Sequence, residues 1–83
     1  MMTRQGKTKA RANVHDRYIG ERVKYFRELK GMTQDDLGGA VGVSFQQIQK
    51  YEDGRNRMSA VRLMQVGKVL GVEHHEFVPP TLV

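Results

Sequence analysis

No cysteine occurs among the 83 residues. That excludes disulfides, thiolate zinc sites and a cysteine nucleophile, and it fits a reducing compartment. The only two prolines are adjacent, Pro79-Pro80, so proline breaks no helix before the last few residues. No apolar run approaches the ~20 residues that span a bilayer. The first stretch, MMTRQGKTKARANVHD, carries basic residues with no apolar segment behind them, and so lacks the pattern of a secretory signal. Sustained period-two alternation, internal repeats and low-complexity blocks are also missing. Acidic side chains are in the minority, nine against fourteen Lys and Arg, for a formal net charge of +5 and a pI of about 9.9. A surplus of that sign points to a polyanionic partner, either nucleic acid or an anionic membrane surface. The membrane is the weaker reading, because the basic residues accompany no long apolar helix face.

What remains is helical punctuation. Residues 1–12 hold Arg4, Lys7, Lys9 and Arg11 with no acidic residue and little to bury, which predicts a flexible basic arm. Such an arm either solubilises the chain or enters a minor groove and follows phosphates. A first helix is expected from between Asn13 and Asp16, either of which can cap it. Ile19, Val23, Phe26 and Lys30 follow at helical spacing, with Leu29 beside them on the same stripe, and Gly31 ends it. Thr33 caps a second helix with Asp36 as its capping-box partner, and Leu37, Ala40 and Val41 are its expected inner face. Gly38 and Gly39 weaken that helix, and Gly42 ends it. Ser44 caps a third helix with Gln47 in the box position. Ile48 and Tyr51 face inward, and Gly54 closes the helix. Ser59 caps a fourth, with Leu63, Val66, Gly67 and Leu70 inside and Gly71 at its end. Val72–Phe77 suffices for one more turn before Pro79-Pro80. The expectation is an all-α chain: arm 1–12, helical domain 13–78, tail 79–83.

The third helix divides its residues unusually. With Ile48 and Tyr51 inside, Phe45, Gln46, Gln49 and Lys50 are left outside. Glutamine makes bidentate hydrogen bonds to the adenine edge, an apolar ring contacts a thymine methyl, and lysine reaches guanine or a phosphate. Arg55, Asn56 and Arg57 follow, suited to gripping the backbone of DNA without reading it. Thr33 and Gln34 open the second helix where free N–H groups and partial positive charge favour a phosphate. A plain solvated face accounts less well for amides beside a tight turn and a basic loop. For Phe45 alone, covering an apolar patch is as good a reading as facing the groove.

The residues Thr33-Gln34, Leu37, Gly42-Val43-Ser44, Ile48, Tyr51-Glu52 and Gly54 carry a resemblance to the phage-repressor and Cro type of helix-turn-helix, the xenobiotic-response-element family. It extends from about Ile19 to Phe77. The resemblance implies a five-helix repressor-like domain that binds double-stranded operator DNA as a two-fold homodimer in the bacterial cytoplasm, at the nucleoid. It implies that Gln34 holds a phosphate, that Ser44, Phe45, Gln46 and Lys50 face the groove, and that Arg27 pairs with Glu52. Three positions depart from the family pattern. Gly38 stands where alanine is usual, which predicts a lost methyl contact. Gly39 replaces a longer polar residue, and Phe45 replaces a polar one.

The leading expectation is therefore a sequence-specific transcriptional regulator, with repression the simpler mode. The rival is a DNA-binding antitoxin or protein-interaction module whose partner takes the apolar C-terminal segment. That segment, with Phe77 and Leu82, is also the expected dimer contact. No cofactor, metal or catalytic residue is expected. His74 and His75 diverge by ~100° on a helix and make a poor chelating pair, and Ser44 and Ser59 are explained as caps.

Overall fold

The computed structural model describes residues 14–80. Arg4, Lys7, Lys9 and Arg11 of the arm, and Thr81, Leu82 and Val83 of the tail, lie outside the described residues. Four α-helices follow in order: α1 (Val14–Leu29), α2 (Gln34–Val41), α3 (Phe45–Glu52) and α4 (Ala60–Leu70). A 3-10 turn, His74–Glu76, follows α4, and no strand occurs among the described residues. The fold is all-α, but the expected fifth helix is only this turn. Glu73 before it is extended and makes no side-chain cap, and Phe77 after it is anchored in the core, which leaves too few residues for an α-helical ring of hydrogen bonds.

Local chemistry accounts for the helix starts. The Thr33 hydroxyl accepts from the Asp36 N–H at 2.9 Å, and the Asp36 carboxylate accepts from the Thr33 N–H at 2.9 Å. The Thr33 N–H holds the Asp36 carboxyl below its ordinary range, with the hydroxyl contributing less. The folded value is depressed, so this contribution is present above the unfolded pKa and is lost as pH falls through the folded one. Ser44 accepts from Gln47 N–H and Ser59 from Arg62 N–H, both at 3.1 Å. At Ser44 only half of the box forms: the hydroxyl accepts from the Gln47 N–H, and the Gln47 side chain makes no return bond. Asp16 is not the cap of α1. It sits inside the first turn, buried, and its carboxylate is turned to Arg57.

The turn between α2 and α3 depends on Gly42, whose φ of 82° is the left-handed region open to glycine at no steric cost. Its N–H and that of Val43 both donate to Gly38 O, at 2.8 and 2.9 Å, closing the end of α2.

Val23, Leu37, Ile48, Leu63, Val66, Leu70 and Phe77 form one core, each helix contributing to it. Ile19, Phe26, Val41, Val43 and Tyr51 pack around it, half buried. Ala40, expected on the inner face of α2, is exposed instead; Leu37, Gly38 and Val41 define that face. Two buried glycines set the helix spacings. A Cβ at Gly20 would lie 2.2 Å from Tyr51 O and 2.6 Å from Glu52 O, so α1 rests directly on the end of α3. A Cβ at Gly38 would lie 2.5 Å from Val43 O. The idea of a missing methyl contact there is thus reversed: at this spacing no methyl fits. Gly39 is the opposite case, with nothing within 4 Å of its Cβ direction and no positive φ. Gly39→Ala should therefore raise stability by about 0.5–1 kcal/mol. A higher urea midpoint at unchanged slope is the expected reading, and a lower one would mean the α2 backbone is not free to accept alanine.

Phe77 also differs from expectation. It is 0% exposed within one protomer, with its ring edge-on to Phe26 at 5.7 Å between centroids. It is a core residue and is not available to a dimer contact. Pro79 is buried as well, so the packed structure continues into the segment expected to be tail.

Candidate nucleic-acid interface

The interface is built on α3. Ile48, 1% exposed, and the buried Glu52 hold the helix by its inner side, with Tyr51 half buried beside them. Ser44, Phe45, Gln46, Gln49 and Lys50 are all exposed, while Gln47 is half buried. All five expected base-facing residues are thus exposed, Ser44 as the N-cap and the other four on α3.

Glu52 is the anchor of that rigidity. Its carboxylate accepts from Arg27 Nε at 2.6 Å and Arg27 Nη2 at 3.1 Å, a side-on, two-point pair between α1 and α3. Arg27 Nη1 donates to Met32 O at 2.6 Å, tying in the loop before α2. Hydrogen bonding to Glu52 is the main cause that raises the Arg27 pKa, with burial opposing it, so this guanidinium stays charged. The third donor to Glu52 is Gln34 Nε2, at 2.9 Å to Oε1. A carboxylate only accepts, so the Gln34 amide must present its nitrogen inward. Gln34, expected at a phosphate, is half buried and has one N–H committed to this network. Its second N–H is what remains for a phosphate.

The loop after α3 is equally engaged. Arg55 pairs with Asp53 at 3.0 Å, both well exposed, and Arg55 N–H donates to Lys50 O at 2.9 Å. Asn56 and Thr33 are exposed. Arg57 reaches back to α1, its Nε 3.1 Å and its Nη2 3.3 Å from the two oxygens of Asp16. Asp16 is buried while the Arg57 side chain is 55% exposed, so one edge of the guanidinium is held and the rest faces solvent. His75 Nδ1 lies 3.4 Å from Glu73 on the far turn. Among the described residues no group of three or more His, Asp or Glu side chains is placed to hold a metal, and no helix is long and apolar enough to cross a membrane.

Sequence reading missed three contributors. Asp16 reads as one of two candidate caps, with Asn13, and no local pattern signals its pairing with a residue 41 positions away. Arg62 Nη1 donates to Val41 O at 2.8 Å and so satisfies the end of α2 from α4, again without a local signal. Gly20 did carry one: a glycine inside a helical stripe costs ~1 kcal/mol unless close packing needs it.

Comparison with known proteins agrees with this geometry. The helix-turn-helix family model matches residues 23–77. An uncharacterised helix-turn-helix-type transcriptional regulator of Sinorhizobium fredii is 44% identical over 82 residues, covering 99% of this chain and 57% of its own length. The chain spans about half the length of the curated relatives it matches. In solved structures, the clp gene regulator ClgR of Corynebacterium glutamicum superposes with a TM-score of 0.75 at 27% identity, over 80% of this chain and 70% of that one. Hydroxypropylphosphonic acid epoxidase of S. wedmorenis has a TM-score of 0.75 at 22% identity, but only 35% of that chain is covered; this likeness is one of fold alone. With the glycine turn, the capped pair α2–α3 and a family match across most of the described helices, the chain belongs to the Cro/C1-type helix-turn-helix family.

Proposed function

We propose that the chain is the sequence-specific, double-stranded-DNA-binding part of a transcriptional regulator, with α3 in the major groove. The single observation that carries this reading is the division of α3: Ile48 and Glu52 lock it from inside while Phe45, Gln46, Gln49 and Lys50 stay open. Its two-donor amides and single ammonium match the acceptor and donor pattern of base edges. Thr33, Gln34, Arg55, Asn56 and Arg57 flank it as phosphate contacts, and the arm residues Arg4, Lys7, Lys9 and Arg11 add charge along the backbone. Two protomers would read half-sites about one helical turn, ~34 Å, apart. Occupying a promoter in this way represses it, and the site of action is the bacterial nucleoid. The related regulators, which bear transcriptional-regulator names, support the same reading.

Selection of bound duplexes from a random pool tests the proposal. A palindromic motif is the expected result, and binding with no motif would reject it. On the selected site, Gln46→Ala should cost about 1–3 kcal/mol and relax preference at one base pair. An equal loss on random DNA would remove Gln46 from the base readers. Arg57→Ala should weaken binding to every sequence and flatten the salt slope by about one unit. Because that change also takes an ion-pair partner from Asp16, affinities are compared at a temperature where circular dichroism shows the variant folded.

A further inference from the structure

Phe45 opens α3 and is 45% exposed. It is not one of the buried side chains that form the core, and its ring stacks on no other aromatic among the described residues. Tyr25, an aromatic of similar exposure, is accounted for: its ring lies edge-on to Phe26 at 5.1 Å and under the Arg22 guanidinium at 5.1 Å. Phe45 is instead exposed, as are its neighbours Ser44, Gln46, Gln49 and Lys50. A phenyl ring has no donor and no acceptor, so it cannot read the hydrogen-bonding pattern of a base pair. The feature of the major groove it can recognise is apolar, and that feature is a methyl group at pyrimidine C5.

We propose that Phe45 is a specificity-determining residue that reads a pyrimidine C5-methyl, a role that rests on the DNA-binding reading and adds the chemistry of one position to it. Thymine carries this methyl, and so does 5-methylcytosine. The neighbouring amides choose by hydrogen bonds, while Phe45 chooses by apolar area. Burying one methyl group against the ring is worth about four-fold in affinity.

The test uses the motif selected from a random pool. Each thymine is replaced in turn by deoxyuridine, which deletes the methyl and leaves the pairing edge unchanged. Each cytosine is separately replaced by 5-methylcytosine. The expected result is one position per half-site where methyl loss weakens binding, or methyl gain strengthens it, by about three- to ten-fold. The first outcome assigns the methyl to thymine and the second to methylated cytosine. Phe45→Ala should abolish the methyl dependence, and Phe45→Leu, which keeps an apolar group, should retain part of it. A motif indifferent to both replacements overturns the proposal, as does a methyl effect unchanged in Phe45→Ala. A protein that selects no motif at all overturns the DNA-reading function as well, so the two failures are distinguishable.

Discussion

Glu52→Ala should lower stability by about 3–5 kcal/mol, because it strands a charged partner in a site the folded chain has taken from water. Arg27 and Glu52 are both buried, and the Glu52 side chain is 1% exposed. Removing the carboxylate leaves Arg27 Nε and Nη2 without it, and Gln34 Nε2 without its acceptor. The other carboxylate near Arg27, on Glu28, is 3.8 Å away and exposed, and replaces little. At ~4–8 °C per kcal/mol for a domain of this size, the melting temperature should fall by roughly 12 °C or more. An unchanged melting temperature would mean the pair contributes nothing to holding α1 on α3. The large loss does not measure the net value of the pair. Replacing both members with apolar residues of similar volume should cost far less, since no isolated charge then remains buried. In that double variant the Gln34 amide would lose the acceptor that now fixes it.

Phe77→Ala should cost about 3–5 kcal/mol as well, by deleting a wholly buried ring whose space cannot collapse fully. The ring is 0% exposed and meets Phe26 edge-on. Opposite it, a Cβ at Gly67 would already be 3.3 Å from Phe77 Cε2, so α4 is moulded to the ring. The loss should be the same at micromolar and at hundred-fold lower protein, because one protomer supplies every contact. A destabilisation that vanished on dilution would mean that a second copy buries the ring. The 3-10 turn would loosen with it, since the Phe77 N–H donates to His74 O at 3.0 Å.

The helix-turn-helix itself was legible because its signals are local. Thr33 with Asp36, Gly42, and Ser44 act within three or four residues of their own position, and each formed the cap or turn it specifies. The exposed set on α3 followed from helical spacing once Ile48 was placed inside. Where the outcome differed, the deciding contact was distant. Phe77 reads as apolar and near a chain end, and only the closure of α1 and α4 around it makes it core. Asp16 reads as a cap because caps are local, but Arg57 arrives from the loop beyond α3. Gly38 is a local exception: it reads as a weak point in a helix, yet the carbonyl of Val43 in the adjoining turn takes the space a methyl would need.

Composition and spacing by themselves determined an all-α fold, the capped starts of α2, α3 and α4, the cationic character and the amide-rich exposed set of α3. These are set by backbone capping, side-chain periodicity and net charge, which need no knowledge of what lies across the core. The tertiary structure alone decided which charges meet over separations of 25 and 41 residues, how closely α1 and α2 approach α3, and that Gln34 spends one donor inward on Glu52. Those outcomes depend on loops closing and on the room left when they do, and no local pattern encodes either.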